Sequence, residues 1–74
     1  MRYPNQKAIN YLKERYPAGC RVQLDQMEDV QAPPIGTKGT VIDVDDIGSI
    51  MVHWDNGSTL SVVYGVDRCH KISE

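Results

Sequence analysis

A chain of 74 residues has room for one domain, and at that size folding buries only about 60% of the surface the unfolded chain exposes, which argues against a deep, water-free catalytic cavity. The net charge of −2 is unevenly spread: residues 1–16 carry four cations (Arg2, Lys7, Lys13, Arg15) against Glu14, or +3, and the rest carries Arg21, Lys38, Arg68 and Lys71 against nine acids, or −5. An acidic body repels phosphate, so a nucleic-acid contact would have to use the basic N-terminal segment.

No apolar run approaches the roughly 20 residues that span a bilayer, and Met1-Arg2-Tyr3-Pro4 lacks the apolar region of a signal peptide. The expectation is a cytoplasmic protein without a membrane association. Cys20 and Cys69 are too few for a disulfide framework and are expected to remain thiols in a reducing compartment.

From Asn5 to about Arg15, Ile9, Leu12 and Tyr16, with Ala8 beside them, form one apolar stripe at helical spacing. Pro4 suits the first turn, Lys13 and Arg15 complement the dipole at the C-terminal end, and Pro17 stops the helix. A helix of about 12 residues is marginal alone in water, so its stripe must dock on the body of the protein or on another chain. Ala18-Gly19 reads as the exit turn.

Arg21-Val22-Gln23-Leu24 alternates as a half-buried strand with Val22 and Leu24 inward. Asp25 to Gly36, with its two adjacent prolines, has no period and reads as a long loop, either a solvated connection or a functional excursion. Three strands follow, at 40–45, 49–54 and 58–63, joined by Asp46-Ile47-Gly48 and Asp55-Asn56-Gly57. Treating both connections as three-residue loops with a left-handed glycine pairs Val44 with Ile50, Ile42 with Val52 and Thr40 with Trp54. It also pairs Trp54 with Ser58, Val52 with Leu60 and Ile50 with Val62.

The inner face is then Ile42, Val44, Ile50, Val52, Trp54, Leu60 and Val62, joined by Val22 and Leu24, with Ile72 closing the structure from a last strand after the Tyr64-Gly65-Val66-Asp67 turn. This predicts a mainly β fold: a small five-stranded SH3-like barrel over residues 18–74, preceded by an amphipathic helix over residues 1–17, in a single domain. Fold class alone does not set function.

The outer face of this arrangement presents Val41, Asp43, Met51, His53, Thr59, Ser61 and Val63. Met51 and Val63 make an adaptable apolar patch, with Val41 and a pH-sensitive His53 at its edge. Either a partner binds there or the N-terminal helix covers it. Pro33, Pro34 and Tyr64 can rim a groove between the long loop and the final turn, as in modules that hold extended peptides; packing alone also accounts for a tyrosine at such an edge. Trp54 is assigned to the core.

Asp43-Val44-Asp45-Asp46-Ile47-Gly48 begins like a calcium loop, but Ile47 and Trp54 stand where oxygen ligands are needed; Asp and Gly there serve the hairpin. Cys20, His53, Cys69 and His70 match no zinc spacing, and Cys20 and His53 point to opposite faces. No cofactor or metal is expected. No cation cluster or helix N-terminus activates either thiol, and no serine has a nucleophile-elbow context.

The ordered set Arg15-Tyr16-Pro17-Ala18-Gly19-Cys20-Arg21-Val22, Met27 with the proline pair, Gly36-Thr37-Lys38-Gly39-Thr40-Val41 and Val52-His53-Trp54-Asp55-Asn56-Gly57-Ser58-Thr59-Leu60 resembles an uncharacterised bacterial and phage family, domain-of-unknown-function family 4314, over about residues 14–72. Cys20 departs from the polar residue expected at its position. The resemblance implies an origin in a bacterium, phage or mobile element. A more distant similarity, through Gly39-Thr40-Val41, Trp54-Asp55-Asn56-Gly57-Ser58 and Tyr64-Gly65, is to the mind-bomb/HERC-type domain of ubiquitin ligases, and it implies an SH3-like module that binds protein segments.

The leading expectation is a non-catalytic module for an unknown protein or peptide, using Met51, His53, Val63 and Val41 or Pro33, Pro34 and Tyr64. The alternative is a nucleic-acid accessory domain using Lys7, Lys13 and Arg15. An enzyme ranks last, for want of a convergent acid, base and nucleophile. The protein is expected to be a monomer or a homodimer joined through its helix.

Overall fold

The computed structural model describes residues 5–73; the proposed first-turn role of Pro4 lies outside them. Helix α1 runs Gln6–Arg15, followed by β1 Arg21–Gln26, β2 Lys38–Val44, β3 Ser49–Trp54, β4 Val62–Val63 and β5 Arg68–Ile72. Asn5 caps the helix by accepting the Ala8 N–H at 2.9 Å. At its other end Tyr16 leaves the helical conformation, as a residue before proline should, while its N–H still donates to the Leu12 carbonyl.

All five strands pair antiparallel in one sheet of order β4-β3-β2-β1-β5. The fold is mainly β with one N-terminal helix. The sheet does not close into a barrel: β4 and β5 come near one another but remain its two edges. Ile72, expected to close it, sits opposite Arg21 and outside the core; Cys69, opposite Leu24, is the β5 residue packed against the core.

Both connecting loops have the expected length. Val44 pairs with Ile50 around Asp46-Ile47-Gly48, and the Trp54 N–H donates to the Ser58 carbonyl around Asp55-Asn56-Gly57. The third residue of each loop is left-handed, with φ of 85° at Gly48 and 94° at Gly57. Asp45 reinforces the first loop by accepting the N–H groups of Ile47 and Ser49, which confirms the hairpin role of its carboxylate.

The register beyond Val44 differs from expectation by one residue. A bulge between Val41 and Asp43 pairs Val41 with Val52, Thr40 with His53 and Gly39 with Trp54. Val41 therefore faces the core, 1% exposed, and Ile42 is turned out, 50% exposed. A bulge adds one unpaired residue and reverses side-chain facing beyond it, and here it places the smallest residue against the largest. A Cβ on Gly39 would lie 2.6 Å from Val52 Cγ1 and 2.8 Å from Trp54 Cε3.

The third central strand is also shorter than expected. Only Val62 and Val63 form ladder pairs, with Ile50 and Ser49. Upstream, the Leu60 carbonyl accepts the Trp54 indole N–H at 2.8 Å, satisfying a buried donor, and Thr59, Leu60 and Ser61 lie outside the ladder. Leu60 is half-buried and not part of the core.

Leu12 and Tyr16 of the helix segment join Val22, Leu24, Val41, Val44, Ile50, Val52, Trp54 and Val62 in a single core cluster. The helix thus docks on its own sheet. It does so on the core side and leaves the outer-face Met51 38% exposed.

Candidate functional site

The outer face keeps Met51 and His53 exposed and Val63 half-buried. Val41 is removed from this surface by the bulge, which puts Ile42 there instead, on the strand paired with that of Met51. His53, with Thr40 and Asp55, lines a small depression of about 290 Å³. Beside it the Arg21 guanidinium grips Asp55 bidentately, at 2.8 and 2.6 Å, and also donates to Thr40 Oγ1 at 3.0 Å. Those hydrogen bonds hold the Asp55 carboxyl below its ordinary pKa. This end of the face is committed to internal contacts.

The groove expected from Pro33, Pro34 and Tyr64 does not form from those three. Pro33 is buried and Pro34 exposed, and neither lines the cleft that Tyr64 borders. The long loop ties itself down: Asp29 accepts the Gln31 N–H, and Thr37 donates to the Pro34 carbonyl through both its N–H and its hydroxyl. Gly36 and Thr37 bond back to Leu24, which draws the end of the loop onto β1.

A larger concavity lies where the sheet stays open. Between the C-terminal half of α1 and the β4–β5 corner is a cleft of about 550 Å³. Leu12, Tyr16, Ile50 and Val62, all buried, with half-buried Cys69, form its apolar floor. Tyr11 and Tyr64 stand at its border, each about half exposed. Arg15, Arg68, Asp25 and Asp67 complete it. This size and mixture suit a binding site, in which apolar contact supplies affinity and a few polar groups set orientation.

The charged groups here differ in their engagement. Asp67 Oδ2 accepts the Val63 N–H at 2.9 Å, clamping the β4–β5 turn. Both Asp25 oxygens lie 2.8–2.9 Å from His70 Nδ1. The Arg15 guanidinium rests 5.8 Å from the centroid of the Tyr16 ring, and neither Arg15 nor Arg68 has a carboxylate partner among the described residues.

Lys7, Lys13 and Arg15 do not form a common basic stripe. Lys13 and Arg15 are roughly 160° apart around a regular helix, and Lys13 pairs with Asp46 at 3.3 Å. Both cysteines are free thiols. Burial raises the pKa of each, Cys69 to about 12 with help from the nearby charge of Asp25, so both stay in the unreactive protonated form. No helix among the described residues is long and apolar enough to cross a membrane.

Sequence reasoning named Tyr64 but missed Tyr11, Arg68 and Asp67, and assigned Arg15 to another role. Tyr11 sits one position before core Leu12, at the margin of the apolar stripe, while Asp67 is the last residue of the predicted turn and Arg68 directly follows it. Both positions flank correctly read elements; the missing step was that the sheet edges do not meet.

The family model for Domain of unknown function (DUF4314) matches residues 5–72, and the chain belongs to that family. The matched range takes in the helix and all five strands, and so both walls of the cleft. No curated protein matches the chain.

Proposed function

We propose that this domain is a non-catalytic interaction module that receives an extended peptide segment of another protein in the cleft between α1 and the β4–β5 corner. The observation that carries this reading is the coincidence of an open sheet edge with a tyrosine-bordered concavity of mixed apolar and charged lining. β5 is an edge strand, so its backbone groups on the side away from β1 have no strand partner among the described residues. A segment laid along that edge gains main-chain hydrogen bonds, and the cleft receives its alternate side chains.

Peptides selected from a random display library on the wild-type domain test this reading when titrated into isotope-labelled protein. Amide shifts at Tyr11, Tyr64, Arg68 and Cys69 are expected. Shifts confined to Ile42, Met51 and His53 would transfer the site to the outer face, and failure to select any peptide would remove the peptide-module reading. A nucleic-acid role would instead require a ligand held by the scattered cations of α1 and released steeply by salt.

A further inference from the structure

We infer that the cleft selects an extended peptide carrying an acidic side chain beside apolar ones, with Arg15 and Arg68 as the recognition pair; this rests on the reading of the cleft as a peptide site. The four charged residues of the cleft sum to zero, two cations against two anions, so net charge alone favours neither sign. Their hydrogen bonds break the tie. Asp67 is directed into the backbone of its own turn and Asp25 onto His70. The two guanidinium groups, one from the last turn of α1 and one from the start of β5, line the cleft without a carboxylate partner among the described residues, Arg15 being engaged only with the neighbouring Tyr16 side chain.

A guanidinium presents fixed N–H donors that match a carboxylate in two parallel bonds. Arg15 is further constrained by the Tyr16 ring beneath it, which lessens the ordering needed on binding. A cleft whose cations lack a carboxylate partner, and whose anions already accept hydrogen bonds, complements a carboxylate. A basic side chain would find its counter-ions already engaged and would meet both arginines.

The near-neutral local field has a second consequence. Recognition is short-range, through hydrogen-bonded contact, without long-range steering of a polyanion. This separates an acidic peptide from a nucleic acid, whose affinity falls steeply as salt displaces it.

The test uses the folded domain and peptides selected from a random display library. Sequences recovered on wild-type protein should be enriched in Asp or Glu. Replacing that acid by its amide should weaken binding about tenfold to wild type, the scale of one charge-assisted bond lost, and barely at all to the Arg15→Gln, Arg68→Gln double variant. Both arginines are exposed, so the double variant should melt with the wild type; Arg15→Lys with Arg68→Lys should recover only part of the affinity.

Cleft-bound peptides without acidic enrichment, or an acid-to-amide change felt equally by wild type and double variant, would overturn the inference while leaving the peptide-module reading intact. No selectable peptide would end both. Displacement of a selected peptide by an oligothymidylate of matching affinity and steep salt dependence would overturn the acidic-peptide assignment in favour of nucleic acid.

Discussion

The β2–β3 hairpin and the β4–β5 margin both draw on Val and Ile, yet one is a closely fitted ladder and the other an open edge. In the hairpin, five residue pairs connect the strands across a bulge, and Gly39 lets the Trp54 ring settle against the backbone. At the margin, β4 is reduced to two residues and the chain before it turns aside to give the Leu60 carbonyl to the Trp54 indole. The same tryptophan thus tightens one side of the sheet and loosens the other. A buried N–H must find an acceptor, and the ladder gives way to it.

This contrast can be broken most forcefully at Gly39. Gly39→Ala places a methyl group within 2.8 Å of two core side chains and should cost about 1–3 kcal/mol of stability, read as a lower denaturation midpoint in urea. An unchanged midpoint would mean that Trp54 can retreat and that the hairpin is not closely fitted.

A smaller, pH-dependent effect belongs to the Arg21–Asp55 pair on the same side. Asp55 has a folded-state pKa below its unfolded value of about 3.9, so its stabilising contribution is present above that value and disappears as pH falls through the folded one. The stability gap between wild type and Arg21→Gln should therefore be present near neutrality and shrink on acidification. A gap that stays constant down to strongly acid pH would assign the arginine's contribution to Thr40 and packing.

The smallest effect is expected at the margin. Tyr64→Ala removes a side chain 49% exposed and outside the core, so stability should change by no more than about 0.5 kcal/mol, while binding of a selected peptide falls. A large loss of stability would make Tyr64 a structural plug and erase the distinction between the two regions.

The parts of this fold that rest on local chemistry were readable from the sequence. The helix stripe, both three-residue loops with their left-handed glycines, and most of the core follow from spacing and turn residues. The bulge was missed because strict alternation was assumed through Val41-Ile42-Asp43-Val44. Two adjacent β-branched residues followed by a third apolar position fit no unbroken period of two, and a glycine one place before Thr40 is the better neighbour for tryptophan. The open margin left a fainter trace. The withdrawal of Leu60 from the ladder depends on where one indole N–H finds its acceptor, and tertiary packing that no local pattern encodes places Arg15 and Arg68 on the lining of one cleft.

The edge formed by β5 also bears on self-association. Arg68 and Lys71 lie on it, and an antiparallel union of two such edges would bring these cations close to those of the second copy. Charge of one sign on an exposed strand discourages edge-to-edge polymerisation. This five-residue edge is therefore guarded against fibre formation by its own side chains, and replacing them with neutral residues would trade solubility for stickiness.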